Sequence, residues 1–269
     1  MFDPAQLPPE LIATGDALAA RVEEAGLNAS QPPEQLLYDG WLLRYSPGKA
    51  RRSRSVNSIA DGRLPLPEKI ARCRELYARA GLPCLFRLTP FSRPQDLDDA
   101  LARHGFAADE ETRVMTRRLG VAWQPLRHEM REVGVEEFAQ EAGNLRGSSP
   151  QQVAAHAARM SASPLLPRTR RLALIESGRV AAVGQSVREF ELVGLYDIVT
   201  AEQARNRGLA TALTTELLRR AQSDGADVVY LQVSADNMAA GHVYRRLGFV
   251  DCYAYWYRAE AGATRMLGA

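Results

Sequence analysis

Asp197-Ile198-Val199-Thr200-Ala201-Glu202-Gln203-Ala204-Arg205-Asn206-Arg207-Gly208-Leu209-Ala210-Thr211 reads as an apolar strand, a polar loop and a helix that begins at a glycine. Such a junction makes an anion site. Gly208 lets the backbone come close to a ligand, Ala210 and Thr211 are too small to crowd it, and the first helical N–H groups face the loop with the positive end of the dipole. A pyrophosphate fits there. Arg205 and Arg207 either add charge of the right sign or are solvated surface residues. No Lys-Ser/Thr follows the glycine as in a nucleotide P-loop, and no GxGxxG follows a strand, which disfavours nucleoside triphosphates and dinucleotides.

Working outward, Arg171 to Glu176 and Arg179 to Val187 flank Ser177-Gly178 as the two arms of a tight hairpin. Leu192 to Thr200 is the next strand. From Gly208 to Ala221 the residues Leu209, Ala212, Leu213, Leu217 and Ala221 share one helical stripe, closed by Gly225. Val228 to Val233 is an apolar strand, Met238 to Leu247 a helix stopped by Gly248, and Cys252 to Tyr257 a final aromatic strand. Helical patches near Val135 to Glu141 and Pro150 to Met160 precede them. Strands alternating with helices make this α/β.

Arg205-x-x-Gly208-x-Ala210 between a strand and a helix resembles the Q/R-x-x-G-x-G/A acetyl-CoA signature of the GNAT (Gcn5-related N-acetyltransferase) superfamily. The segment from Asn237 through Ala240, Tyr244, Gly248 and Phe249 resembles that family's N-x-x-A-x-x-x-Y-x-x-x-G-F signature. The likeness covers roughly residues 170 to 258, with Ala210 replacing a second glycine and Glu202 near a usual proline.

The resemblance implies an N-acetyltransferase that uses acetyl-CoA as cosubstrate and transfers the acetyl group to a primary amine by direct attack. Ile198, Val199 and Thr200 would offer backbone groups to the pantetheine arm and an N–H to the thioester oxygen. The backbone of Arg205, Asn206, Arg207, Gly208, Leu209, Ala210 and Thr211 would cradle the pyrophosphate. Asn237 and Ala240 would meet the cofactor, and Tyr244 would be the general acid. Asn237 also reads as a helix N-cap, a role compatible with cofactor contact, and the alternative for Tyr244 is a core aromatic beside Val243 and Leu247. Asp197 is the first candidate for general base, with Glu189 and Glu191 behind it; a structural or ammonium-binding Asp197 fits as well. His242 does not face Tyr244, because adjacent helical positions diverge.

The first half opens with a helical stretch from Pro9 to Gly26. Gly40 to Tyr45 and Arg52 to Ile59 then read as a hairpin about Ser46-Pro47-Gly48. A helix after Pro67, with Ile70, Cys73, Leu76 and Tyr77 on one face, leads to the buried strand Leu85 to Leu88. A helix from Asp96 to His104 and a strand from Arg113 to Leu119 follow. Leu85-Phe86-Arg87-Leu88 through Gly105-Phe106 parallels Leu231-Gln232-Val233 through Gly248-Phe249, the mark of an internal repeat. The expected organisation is two tandem GNAT-like domains, each a mixed central sheet flanked by helices. Residues 1–120 form a degenerate copy and 125–269 the catalytic one, joined at Trp123-Gln124-Pro125. The first copy has Leu101 in place of Tyr244 and no Arg-x-x-Gly-x-Gly/Ala element. Its basic stretch, Lys49, Arg51, Arg52 and Arg54, lines the acceptor cleft or forms a solvated edge strand.

Composition bounds the partners. Of 269 residues, 46% are hydrophobic and 25% charged, and the net charge of +2 argues against nucleic acid or an anionic membrane as partner. Cys73, Cys84 and Cys252 lack CxxC or Cys/His clustering, so no metal site or disulfide framework is expected. The chain starts without a basic, apolar leader, and a cytoplasmic protein acting on a small-molecule or peptide amine is the expectation. The competing reading is a non-catalytic acyl-CoA-binding module that regulates a protein partner.

Overall fold

A computed structural model describes residues 2–46, 50–120, 128–161 and 169–260. The expected linker Trp123-Gln124-Pro125, the Pro47-Gly48 turn and Lys49 lie outside the described residues. In chain order the first part comprises α1 (Ala17–Ala29), β1 (Glu34–Tyr38), β2 (Trp41–Tyr45), β3 (Val56–Ser58), α2 (Leu66–Arg79), β4 (Leu85–Leu88), α3 (Leu97–Arg103) and β5 (Phe106–Arg118). The second comprises β6 (Glu129–Glu132), α4 (Val135–Arg146), α5 (Pro150–Ser161), β7 (Thr169–Glu176), β8 (Arg179–Glu189) and β9 (Leu192–Thr200). It continues through α6 (Leu209–Ser223), β10 (Val228–Ser234), α7 (Met238–Arg246) and β11 (Val250–Glu260). This is the mixed α/β architecture expected.

Two expectations for the first part need correction. The opening helix begins only at Ala17, where the Asp16 carboxylate accepts the N–H groups of Leu18 and Ala19 at 2.8 and 3.3 Å. The prolines upstream hold short 3-10 turns at Pro4–Gln6 and Pro9–Leu11 instead. The strand expected from Arg52 is likewise shorter, since Arg51–Ser53 forms a 3-10 turn and pairing with β2 covers Val56 to Ser58. β3 lies between β2 and β4, so it is no edge strand; the sheet edges are β1 and β6.

Among the described residues the eleven strands form one sheet in the order β1-β2-β3-β4-β11-β5-β10-β9-β8-β7-β6. The two parallel pairs, β3 with β4 and β9 with β10, are the pairs joined by crossover helices α2 and α6. The last strand of each part has changed places. β11 inserts between β4 and β5, with Trp256 opposite Leu88, while β5 pairs β10, with Met115 opposite Leu231. Side chains alternate along a strand, so Ala254 and Trp256 of β11 enter one core and Tyr253, Tyr255 and Tyr257 another. Under this seam the buried Arg87 guanidinium of β4 bonds Glu23 of α1, which also accepts the Tyr253 hydroxyl at 2.6 Å. The interior ion pair ties three elements from opposite ends of the chain.

Candidate active site

β9 and β10 run parallel only as far as the pair Leu195 and Leu231. Beyond it β9 continues to Thr200 beside β8 alone, and the edge facing β10 is left without a strand partner. A bulge accompanies this parting: the register with β8 slips between Val183 and Gln185, and Asp197 takes the left-handed conformation at φ 52°. Below the fork the two strands touch closely. A Cβ at Gly194 would lie 2.6 Å from Tyr230 and Tyr196, whose hydroxyls share a hydrogen bond of 2.9 Å.

The parting opens into a cleft of about 360 Å³. Asp197, Ile198, Asn237, Ala240 and Tyr244 line it together, joined by Arg146, His156, Arg159 and Arg171 and by Arg52 and Ser53 from the first part of the chain. Val199, Thr200 and the segment from Arg205 to Thr211 do not line it; they follow from the end of β9 into α6. Glu189 and Glu191 lie at the opposite end of β9, where Glu189 meets Arg21 and Asn28. His242 is exposed on α7.

At the start of α6, Gly208 is the N-cap with φ 78°, and no side chain caps the helix. The left-handed conformation favours glycine, and a Cβ there would meet nothing within 4 Å, so the space above the helix end is open. With its first turn uncapped, the helix offers N–H donors and a positive dipole end to an anion. Arg207 is not free to contribute, since it pairs with Glu176 at 2.8 Å.

Tyr244 is buried in α7, its ring edge-on to Phe249 with centroids 6.0 Å apart. Burial raises its phenol to about 12. It is thus both a core aromatic and a cleft wall. Asn237 caps α7, accepting the N–H of Ala240 at 3.1 Å.

Asp197 sits at the centre of a polar cluster. Its carboxylate accepts Arg146 Nη2 at 2.6 Å, Gln185 Nε2 at 2.7 Å and His156 Nε2 at 3.2 Å. Burial alone would raise its pKa, but the bonds from His156 and the Arg146 charge prevail and hold it well below the usual carboxylate range. The pattern of residues alone did not bring in His156, Arg146, Arg159 or Arg171. They come from α4, α5 and β7, and no local spacing ties those elements to β9.

Residues 19–258 match a family profile described as "Probable histone acetyltransferase Rv0428c C-terminal". The chain belongs to this GNAT-type acetyltransferase family. Among its relatives is an uncharacterized N-acetyltransferase, YobR, of Bacillus subtilis (strain 168), 29% identical over 82% of this chain and 90% of that protein. A shorter likeness, 47% identical over 24% of this chain and 22% of the other, is to the mycothiol acetyltransferase of Corynebacterium aurimucosum. In fold, this acetyltransferase is similar to a GCN5-related N-acetyltransferase from Kribbella flavida, with TM-score 0.68, 18% identity and coverage of 91% and 96% of the two chains. It is also similar to a tandem GNAT protein from the clavulanic acid biosynthesis pathway, with TM-score 0.56, 18% identity and coverage of 76% and 74%. No helix among the described residues is long and apolar enough to cross a membrane.

Proposed function

We propose that this acetyltransferase moves an acetyl group from acetyl-CoA to a primary amine by direct attack in the cleft where β9 and β10 part. The observation that carries the reading is the meeting, in one cleft, of Tyr244 and the His156–Asp197 pair beside a free strand edge. The residues fit the cosubstrate. The uncapped turn from Arg205 to Thr211 suits a pyrophosphate, the edge of β9 from Ile198 to Thr200 suits an amide-bearing arm, and Asn237 and Ala240 wall the opposite side. When bound, acetyl-CoA supplies the thioester carbonyl that the amine attacks.

The amine must be neutral to attack. Asp197, held as a carboxylate by three donors, is a poor proton acceptor, which shifts its part from base to positioning residue. With Nε2–H donated to Asp197, His156 keeps its lone pair on Nδ1 and takes the amine proton there. A backbone N–H on the vacated edge between Ile198 and Thr200 stabilises the developing oxyanion. As the new C–N bond forms and the C–S bond breaks, Tyr244 Oη would give its proton to the departing sulfur and regain one from the proton that the amide nitrogen loses, leaving an amide, the CoA thiol and a neutral phenol. Burial keeps that proton on the phenol at neutral pH.

The tandem organisation is part of the same proposal, with β1-β2-β3-α2-β4-α3-β5 repeating the order β7-β8-β9-α6-β10-α7-β11. The earlier copy lacks the means to hold the cofactor. α2 starts at Pro65-Leu66-Pro67, where proline removes a first-turn donor, and beside β4 the Arg87 guanidinium is tied to Glu23, which also takes the Tyr253 hydroxyl. Its contribution to the cleft includes Arg52 and Ser53, on the side assigned to the acceptor. The test is release of CoA thiol from acetyl-CoA over a panel of amines. Turnover that drops in Tyr244→Phe while CoA affinity holds supports the reading, and no turnover on any amine refutes it.

A further inference from the structure

The acceptor side of the cleft holds more positive charge than the protein itself can balance. Arg52 comes from the turn Arg51–Ser53, Arg159 from α5 and Arg171 from β7. Nε and Nη1 of Arg52 and Nε of Arg171 are buried without a hydrogen-bond partner, and Arg159 forms no ion pair with a described residue. Among the described residues Asp197 is the one carboxylate lining the cleft, and it is already engaged by Arg146, His156 and Gln185. Residues outside the described set include no aspartate or glutamate that could supply another.

The arginine neighbours of Arg52 and Arg171 are paired. Arg51, next to Arg52, pairs with Asp109 at 2.7 Å and Glu110 at 3.0 Å. Arg170, next to Arg171, pairs with Asp224 at 2.9 Å and Glu132 at 3.1 Å. Thus Arg51 and Arg170, which point elsewhere, are paired with carboxylates, while Arg52 and Arg171 in the cleft keep unpaired donors and no carboxylate; Nε of Arg44, Arg54 and Arg87 outside the cleft is unpaired as well. The Tyr196 ring, 5.7 Å from Arg52 Cζ, supplies a π face but no acceptor for Nε or Nη1. Buried guanidinium donors left unpaired are costly, and a planar fork of N–H groups matches an oxyanion.

We propose that the acceptor carries, besides its amine, a carboxylate or phosphate held by Arg52, Arg159 and Arg171. This rests on the acetyl-transfer reading above. The cosubstrate's phosphates do not account for the cluster, because the uncapped turn assigned to them, Arg205 to Thr211, is not part of this wall. A lysine-rich peptide would set cations against cations. An amino acid, an acidic peptide or an aminoalkyl phosphate would place its anion among the arginines and its amine near His156.

The test measures CoA-thiol release by the full chain on matched pairs: β-alanine and γ-aminobutyrate against propylamine and butylamine, α-amino acids against their amides, and O-phosphoethanolamine against ethanolamine. A lysine-rich peptide is a further arm. The expected result is a kcat/KM higher by about 10- to 100-fold for the anionic member of the preferred pair. Which series responds distinguishes carboxylate from phosphate. Arg52→Gln and Arg171→Gln are expected to raise the acceptor KM by about tenfold each and leave the Kd for CoA unchanged. Arg159→Gln, from a half-exposed helix position, repeats the test where packing is looser. Equal or better turnover of neutral amines or the lysine-rich peptide overturns the proposal while acetyl transfer stands. A changed CoA Kd with an unchanged acceptor KM also overturns it, by assigning the arginines to the cosubstrate. No turnover on any amine removes acetyl transfer and this inference together.

Discussion

Asp197 Oδ2 lies 3.2 Å from His156 Nε2, across 41 positions of sequence and between a bulged strand and a helix of another layer. The contact orients the imidazole, and in the proposed mechanism Nδ1 takes the amine proton. His156→Gln and Asp197→Asn are each expected to lower kcat/KM by about 100-fold or more, and the double variant to fall little further, since the two act as one unit. Additive losses in a steady-state double-mutant cycle would separate them.

The same carboxylate shapes acid stability. Its folded pKa lies below its unfolded value, near 3.9, so its contribution is complete above that pH and is lost as pH falls further. Urea unfolding from pH 6 down to pH 3 is expected to show a steeper decline in the parent than in Asp197→Asn. Parallel curves would contradict the ion-pair account.

Tyr244 keeps its proton far above neutrality because burial raises the phenol to about 12. Tyr244→Phe is expected to reduce kcat by roughly 100-fold. In the parent no loss of kcat attributable to the phenol is expected up to about pH 10. A tyrosine-dependent decline already at pH 8, read by comparing the two pH profiles, would contradict the assignment.

Gly208 offers a test of the helix start. A Cβ there meets no atom within 4 Å, so Gly208→Ala carries only the conformational cost of φ 78°, about 1–2 kcal/mol. The expected result of calorimetric titration is CoA affinity weakened by about tenfold, with the acceptor preference unchanged. Unaltered affinity would separate this turn from the cosubstrate.

At the seam between the two parts, Glu23→Ala strands the buried Arg87 guanidinium and the Tyr253 hydroxyl. The expected loss is about 3–5 kcal/mol in urea unfolding at neutral pH. A change under 1 kcal/mol would show that the pair does not hold the seam.

What could be read in the chain follows from the range over which each signal acts. β9 and α6 were legible because an apolar run, a polar loop and a glycine start fall within fifteen neighbouring residues. β1 was missed: Glu-Gln-Leu-Leu-Tyr follows two prolines without alternation, and as an edge strand it leaves Leu36 and Leu37 exposed, so no buried face disciplines its pattern. The exchange of β5 and β11 was equally out of reach, because Tyr253 and Trp256 signal a strand but not which strand they will join. Asp197 stood out from its place on β9, whereas His156, on a helix with no visible relation to that strand, acquired a role only when the fold brought them together.

The most direct test of the account is a crystal structure of the full chain with acetyl-CoA. The predicted result places the pyrophosphate on the N–H groups between Arg205 and Thr211, the arm along Ile198 to Thr200, and the sulfur within hydrogen-bonding reach of Tyr244 Oη. Density for the thioester outside the opening between β9 and β10, or a sulfur distant from Tyr244, would contradict it.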